Sequence, residues 1–326
     1  MSKTFDLNEK INLIYNFTYN NEYSTCYKID KVNSNNIKIE DIKITKNYKK
    51  SIYDISADLF NGKFSLLDYN NNILTLKKYS DTFPLTININ PYSKESDSIK
   101  LEKNRDSYFS YLLSSLVLNK KTKHILLPII NIDVRFQEIN DILKNHKQYK
   151  NYIKGIEENK HSDLFSIRVK EHFFKSIPLE SYLNKNKCEM KNLLFQIIHT
   201  LAVIQKDYPK FRHNSLEPAN IYLYLNDYPE TTEYKFNNKK YYIGNNKFNI
   251  KITNFNYSTN GDKIFTNKKI PFDNKKNQYF DLHYFLNTLL YKNKNKNKSC
   301  DKETEDFLLE IFPKKYRGKD KKGFNL

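Results

Sequence analysis

The sequence predicts an α+β protein with two lobes, the first rich in strands and the second rich in helices. Residues 1–80 alternate short apolar runs with Asn/Lys turns, and this period-two pattern is typical of strands. Farther along, apolar positions recur at helical spacing, most clearly in EMKNLLFQIIHTLAVIQKDY (189–208). We therefore expect a strand-rich extension or start of the first lobe at 1–80, the rest of that lobe at 81–174 and the second lobe at 175–326, with a boundary near 172–178.

The first lobe is expected to consist mainly of strands. PLTININP (84–91) is predicted to end at Pro91, because proline cannot donate a hydrogen bond to a sheet ladder. One amphipathic helix is predicted in DSYFSYLLSSLVLN (106–119). The other strands are predicted at IKIEDIKI (37–44), NNILTLKKY (71–79), HILLPIINIDV (124–134) and DLFSIRVKEHFF (163–174), with a looped or weakly helical stretch at 137–162.

The second lobe is expected to consist mainly of helices. The helix at 189–208 carries an apolar stripe formed by Leu193, Ile197, Leu201 and Ile204. Further helices are predicted at SIPLESYL (176–183), QYFDLHYFLNTLLY (278–291) and ETEDFLLEIF (303–312). A strand pair is predicted at NKFNIKITNFNYS (246–258), and the polar run KNKNKNKSCDK (292–302) is typical of a solvated linker.

The charge of the chain bears on its partners. Its 55 Lys and Arg residues exceed its 37 Asp and Glu residues, for a net charge of +18, which favours acidic or phosphate-rich partners such as nucleic acid. Abundant Lys, Asn, Ile and Tyr beside 6 Gly and no Trp are also typical of a genome rich in A and T. Both explanations of the charge stay open.

Cysteine usage and the N-terminus bear on the compartment. Cys26, Cys188 and Cys300 lie far apart, so neither a zinc site nor a disulfide framework is expected. MSKTFDLNEK lacks the apolar run of a signal peptide, and no stretch approaches the roughly 18 apolar residues of a membrane span. We expect an intracellular protein without a membrane segment, located in the host cytoplasm or the virion if it is viral.

Three segments of the second lobe follow one another in a recognisable order. His213-Asn214-Ser215-Leu216-Glu217-Pro218-Ala219-Asn220 follows the long helix, Asn254-Phe255-Asn256 follows the strand IKIT, and Asp281 begins DLHYFLNTLL. In this order they resemble the catalytic loop, the Asp-Phe-Gly triplet and the core helix of protein kinases. The phrases around them resemble the divergent serine/threonine kinases of large DNA viruses. The resemblance covers residues 163–320 and implies a bilobal protein-kinase-like fold.

The resemblance also implies roles for the matched residues. His213 would be structural, Asp281 would anchor the backbone of the 213–215 loop, and Asn220 would stand at the metal-side, cofactor-binding position. Simpler interpretations stay open, namely a core histidine at 213 and a turn cap at 220. The chain ends soon after RGKDKKGFNL, earlier than most kinase C-lobes, which predicts a truncated C-lobe or an incomplete reading frame.

The residues that carry phosphoryl transfer in kinases differ here. Ser215 replaces the aspartate that accepts the substrate proton, Glu217 replaces a phosphate-neutralising lysine, and Asn254 replaces a metal-binding aspartate. General-base assistance alone is commonly worth about 10²–10⁴ in rate. Asn88 falls where the phosphate-binding lysine of the first lobe would stand, and no G-x-G-x-x-G occurs. The helix at 106–119 has no glutamate, and Ile270-Pro271-Phe272 lies near the usual Ala-Pro-Glu.

Together these losses predict a pseudokinase, a catalytically inactive scaffold or regulator with an unidentified protein partner and no ATP or metal cofactor. Two other functions stay open. A weakly active, atypical kinase that binds ATP would depend on other carboxylates, such as Asp207 or Asp262. A basic nucleic-acid-associated or virion protein would use stretches such as KFNNKKYYIGNNKFNIK (235–251), which solvated loops also explain.

Overall fold

The chain divides into two units of mixed α/β structure, residues 1–101 with 127–173 and residues 102–126 with 174–326. The computed structural model describes residues 28–29, 37–38, 64–70, 73–78, 85–93, 102–144, 149–172, 176–183, 189–261, 279–291, 302–314, 317, 319–320 and 323–324. Its elements are β1 (Lys28–Ile29), β2 (Ile37–Lys38), β3 (Phe64–Asn70), β4 (Ile73–Lys78), β5 (Leu85–Ser93), α1 (Glu102–Leu118), β6 (Pro128–Arg135), α2 (Phe136–Leu143), α3 (Tyr149–Glu157), β7 (His161–Glu171), β8 (Ser176–Pro178), α4 (Leu179–Leu183), α5 (Met190–Asp207), β9 (Ile221–Phe236), β10 (Lys239–Ile252), α6 (Phe280–Tyr291), α7 (Lys302–Ile311), β11 (Lys319–Asp320) and β12 (Gly323–Phe324).

The first unit is built on an antiparallel sheet of strand order β3-β4-β5-β7-β6. Alternate residues of β5 face its core, where Ile87 lies opposite Val169 and Ile89 opposite Ile167. All four side chains are at most 1% exposed. The residues between them point to the other face of the sheet because side-chain direction alternates along a strand.

Two helices cover part of this sheet where the sequence predicts a looped or weakly helical stretch. In α2, Ile139 is fully buried, and in α3 the ring of Tyr152 meets the Phe165 ring of β7 edge-on at 5.4 Å. Burial of these apolar side chains stabilises helices that are too short to form alone in water. The weakly helical alternative is therefore the nearer one, and two distinct helices were not predicted because polar residues dominate the stretch.

The strand at 84–91 continues past Pro91 to Ser93, contrary to the prediction. Pro91 pairs with Phe165 of β7 and lies beyond Ile89, the last residue of β5 that pairs with β4. The strand is therefore paired on one side at this position, where a proline can be accommodated without loss of a ladder bond.

The second unit has α5 at its centre. The predicted stripe of α5 is buried, with Leu193 and Ile197 fully so. Helix α1 begins at Glu102, four residues earlier than predicted, and the ring of its Phe109 contacts Phe211 at 5.6 Å. Residues 176–183, predicted as one helix, form β8 followed by α4.

A long hairpin of β9 and β10 forms most of the second sheet, whose strand order is β10-β9-β8. The two strands join through Asn237 and Asn238, with φ of 49° and 61°. Two consecutive positive φ angles are typical of the tight type I′ turn, and asparagine tolerates this conformation. Of the strand pair expected at 246–258, residues 246–252 form the end of β10, and the part beyond them contains a 3₁₀ turn, Phe255–Tyr257. The first strand of the hairpin, β9, was not predicted.

No helix among the described residues is long and apolar enough to cross a membrane. Residues 39–44 of the predicted strand at 37–44 and residues 292–301 of the predicted linker lie outside the described part of the chain.

Candidate functional site

Asp281, in the first turn of α6, anchors the backbone of the loop at 213–220. Its Oδ2 accepts the N–H of His213 and its Oδ1 accepts the N–H of Asn214, both at 2.8 Å. Burial raises the pKa of this carboxyl, while His213, the two backbone donors and the Arg212 guanidinium lower it. Asp281 has the geometry expected of an anchor.

His213 joins the same loop to the end of β10. Its Nε2 lies 3.0 Å from the carbonyl oxygen of Thr253, so Nε2 carries the proton and donates it. The ring also packs against Phe255 at 5.2 Å. Burial lowers the pKa of His213, which favours the neutral ring. This is a structural position, consistent with both interpretations of the sequence.

The loop alternates between buried and half-buried side chains. Leu216 is fully buried and Pro218 is buried, whereas Ser215 and Glu217 are half-buried. Glu217 has extended backbone angles, φ −129° and ψ 164°. Side chains two residues apart in an extended segment point the same way, so Ser215 and Glu217 share the open face of the loop.

Asn220 closes the loop on itself. Its Nδ2 donates to the Ser215 carbonyl oxygen at 2.7 Å and lies 3.2 Å from Ser215 Oγ. The Asn220 carbonyl oxygen accepts the N–H of Thr253 at 3.0 Å. The turn-cap interpretation of Asn220 and the kinase-like one both agree with these contacts.

Three asparagines form a hydrogen-bonded chain that ties the loop to the 254–256 segment. Asn256 Nδ2 donates to Asn254 Oδ1 at 2.6 Å, and Asn254 Nδ2 donates to Asn220 Oδ1 at 2.7 Å. Asn254 adopts a left-handed backbone, φ 62°, which asparagine tolerates. Ligation of a cation by either amide oxygen would compete with one of these N–H···O bonds.

Asp106 on α1 holds the same segment and was missed by the sequence reasoning. Its Oδ1 accepts the N–H of Phe255 at 2.7 Å. The sequence prediction considered only a glutamate within 106–119, whereas the observed helix begins at Glu102 and holds Phe255 through an aspartate. An acidic residue near the start of an amphipathic helix was the available signal.

Asn214 and Arg212 hold the segment that follows. Asn214 Nδ2 donates to the Tyr257 carbonyl oxygen at 2.9 Å and to Thr259 Oγ1 at 3.2 Å. The backbones of Arg212 and Thr259 exchange two N–H···O bonds, of 2.8 and 2.9 Å. The loop and the segment after β10 therefore support each other through side-chain and backbone hydrogen bonds.

The sequence also singled out Asn88, Asp207, Asp262 and the 270–272 triplet. Asp207 forms an ion pair with Lys121, with Oδ2 and Nζ 2.5 Å apart. Asn88 belongs to the first unit, on the face of the sheet opposite its core, directly across from Arg168 of β7. Asp262 and the 270–272 triplet lie outside the described residues. Within the described part of the chain, no three His, Cys, Asp or Glu residues cluster as metal ligands would.

The Lys/Tyr stretch at 235–251 forms part of the β9–β10 hairpin rather than a loop. One face is packed, since Tyr234 is 5% exposed and its hydroxyl lies 3.1 Å from Nε2 of the buried His124. On the exposed face, Lys235 and Lys240 both pair with Glu233, at 3.2 Å each. Binding of nucleic acid by this stretch stays a prediction.

Comparison with known proteins places this chain near three proteins of Acanthamoeba polyphaga mimivirus. One named "Uncharacterized protein" is 29% identical over 241 residues, 69% of this chain and 28% of that protein. A "Putative serine/threonine-protein kinase" is 30% identical over 234 residues, 63% of this chain and 50% of that protein. Another protein of the same description is 48% identical over 46 residues, 14% of this chain and 12% of that protein.

The chain thus spans half or less of the length of each of these curated relatives. No family model matches the sequence. A solved structure described as "WaaP in complex with acyl carrier protein" aligns with a TM-score of 0.39 and 9% identity over 73% of this chain and 75% of that chain, a likeness too distant to bear on function.

The names of the relatives contradict the expectation that the chain is not an enzyme. Two of them are described as serine/threonine-protein kinases, which points toward a kinase enzyme. The expectation was wrong because it rested on replaced side chains alone. Phosphoryl transfer depends mainly on positioning and electrostatics, so such replacements do not by themselves exclude an enzyme.

Proposed function

We propose that the chain is an atypical serine/threonine protein kinase that transfers the γ-phosphoryl group of Mg·ATP to a protein hydroxyl at a low rate. The observation that carries this proposal is the loop at 213–220, held at both ends by Asp281 and by the Asn220–Asn254 contact. An ordered loop of this kind supplies the positioning on which phosphoryl transfer depends. In this proposal the two units correspond to the two lobes of a kinase.

The low rate follows from the loop's chemistry. Ser215 has a hydroxyl in place of a carboxylate, and Asn254 brings no charge to Mg²⁺, which prefers carboxylate ligands. The metal would therefore be held mainly by the phosphates of the nucleotide. We expect a measurable rate of phosphate transfer, well below the roughly 1–100 s⁻¹ that is usual for kinases.

Arg168 supports the nucleotide-binding part of the proposal. It lies opposite Asn88 on the neighbouring strand, so a guanidinium stands next to the position where the lysine is missing. Guanidinium groups bind phosphate oxygens in a bidentate manner. Arg168 is therefore a candidate phosphate ligand in place of a lysine at position 88.

The test is transfer of radiolabelled phosphate from Mg·ATP to dephosphorylated casein and to the chain itself. We expect the native chain to transfer phosphate and Asn254→Ala, purified identically, to lose at least about tenfold in rate. Arg168→Gln should weaken Mg·ATP binding in a thermal-shift titration, whereas Arg135→Gln, an exposed residue of the same sheet, should not. Absence of both transfer and a thermal shift in the native chain would refute the proposal.

A further inference from the structure

The loop keeps one carboxylate on its open face, although not at the expected position. Glu217 is the only acidic residue between Tyr208 and Asn226. Its side chain lies on the same open face as that of Ser215, because Leu216 between them is fully buried. Two residues of extended chain separate their Cα atoms by only about 6.5 Å.

The local backbone keeps Glu217 on that face. Glu217 immediately precedes the short 3₁₀ turn Pro218–Asn220, and its carbonyl oxygen accepts the Asn220 N–H at 2.8 Å. Its carboxylate makes no capping bond to that turn. The backbone of the residue is therefore fixed.

Ser215 is held in a way that does not supply a base. Asn220 Nδ2 approaches both its carbonyl oxygen and its Oγ, so the hydroxyl oxygen faces a donor. A hydroxyl beside an amide N–H does not accept a proton at neutral pH, whereas a carboxylate does. Of the two side chains on the open face, Glu217 is the one with the required chemistry.

We propose that Glu217 is the proton acceptor of the transfer reaction, in place of a carboxylate at position 215. This inference rests on the proposed kinase function. The substrate hydroxyl oxygen bonds to the γ-phosphorus of Mg·ATP, and its proton passes to the Glu217 carboxylate. The bond from the γ-phosphorus to the bridging oxygen breaks, and ADP leaves with the electron pair. The Mg²⁺ of the nucleotide offsets the repulsion between this carboxylate and the phosphates.

The decisive experiment compares the rate of phosphate transfer and Mg·ATP affinity in matched variants of the full chain. Glu217→Gln should lose about 10²–10⁴ in rate, as loss of a general base does, with nucleotide affinity within threefold of native. Glu180→Gln, an exposed residue of α4, is the control and should match the native rate. The double variant Glu217→Gln with Ser215→Asp should recover activity, since it returns a carboxylate to the same face.

A pH profile separates a chemical role from a structural one. We expect the native rate to fall toward acid, and this fall should shift or disappear in Glu217→Gln, measured where both proteins remain folded by circular dichroism. The inference fails, and the kinase proposal stands, if Glu217→Gln transfers phosphate within threefold of native. It also fails if that variant loses nucleotide binding or folding together with activity, or if the double variant recovers nothing. If the native chain transfers no phosphate, both proposals fall.

Discussion

Two amide groups and one carboxylate decide the shape of the loop at the level of single residues. Asp281 accepts two backbone N–H groups 67 and 68 residues away, and Asn220 joins the loop to Asn254. Asp281, Asn220 and Asn254 thus fix the geometry of the loop, although Asn254 is itself one of the replaced residues. Ser215 and Glu217 lie on the open face, so under the proposed function different residues would carry positioning and proton transfer.

Replacing Asp281 with asparagine tests the anchor. One oxygen of the carboxylate becomes an N–H₂ group that faces a backbone donor, so one buried N–H loses its acceptor. Hydrogen bonds to charged groups are worth about 1.5–3 kcal/mol, and an unpaired buried donor adds to the loss. We expect Asp281→Asn to lower the free energy of unfolding by about 2–4 kcal/mol in urea denaturation.

The control for this variant is Asp163→Asn. Asp163 pairs with Arg135 at 3.2 Å, and both side chains are more than half exposed, at 60% and 71%. Exposed pairs of this kind contribute about 0–1 kcal/mol. Equal effects of the two substitutions would show that Asp281 is not an anchor.

At the level of elements, a side chain of α5 completes the edge of β10. Gln196 Nε2 donates to the Phe248 carbonyl oxygen and Gln196 Oε1 accepts the Ile250 N–H, both at 3.1 Å. Gln196 is fully buried, so its amide takes the place of a neighbouring strand. This pairing lies beside the register shifts of β10 between Ile243 and Phe248.

Gln196→Leu should therefore destabilise the second unit although leucine is apolar and of similar size. It leaves a buried N–H and a buried C=O without partners, at about 1–3 kcal/mol each. Ile198→Gln, on the opposite side of α5 where the side chain is 43% exposed, should change stability by less than about 0.5 kcal/mol. Thermal unfolding followed by circular dichroism measures both, and a neutral Gln196→Leu would contradict this account of the β10 edge.

At the level of the whole molecule, buried histidines link stability to pH. Burial lowers the pKa of His124 well below its ordinary value and lowers the pKa of His213. His124 Nδ1 donates to the Ile250 carbonyl oxygen, and Nε2 accepts the Tyr234 hydroxyl proton, so the folded protein holds this ring neutral. Burial also raises the pKa of Tyr234, which keeps its donor proton.

Acidification should therefore destabilise the second unit. The unfolded chain binds protons at these histidines below about pH 6.5, and the folded chain does not, so stability is complete above that pH and falls below it. A histidine that stays unprotonated in the folded chain lowers the free energy of unfolding by about 1.4 kcal/mol at one pH unit below its pKa in the unfolded chain. The raised pKa of Asp281 acts with the opposite sign: the folded chain holds this proton more tightly than the unfolded chain, so the proton-linked part of the stability falls as pH rises above about 3.8.

Urea denaturation at pH 8 and pH 5.5 measures this dependence. We expect the free energy of unfolding to fall by about 2–3 kcal/mol on acidification of the native chain. In His124→Gln, which keeps a donor and an acceptor without a titratable group, the fall should be smaller by about 1 kcal/mol. An unchanged slope in that variant would show that His124 is not a source of the pH dependence.

Much of the second unit could be predicted from local patterns. The α5 stripe from Leu193 to Ile204 and the order of the 213–220 loop, β10 and α6 depend on spacing within short segments, which the sequence displays directly. The β9 strand was missed because its polar outer half hides the alternation. The sequence predicts only a looped or weakly helical stretch where α2 and α3 form, because tertiary burial stabilises them. Asp106 and Arg168 were missed because their partners lie far away in the chain or on another strand.

The sequence by itself therefore determines the order of the elements and the replaced side chains at 215, 217 and 254, because spacing and chemical identity are local properties. Which of those side chains point outward, and which hold the loop, depends on contacts between residues far apart in the chain. Asp281 reaches His213, Asp106 reaches Phe255, and burial of Leu216 turns Glu217 toward the open face. Such contacts exist only once the chain has folded, and they make Glu217 a candidate for catalysis.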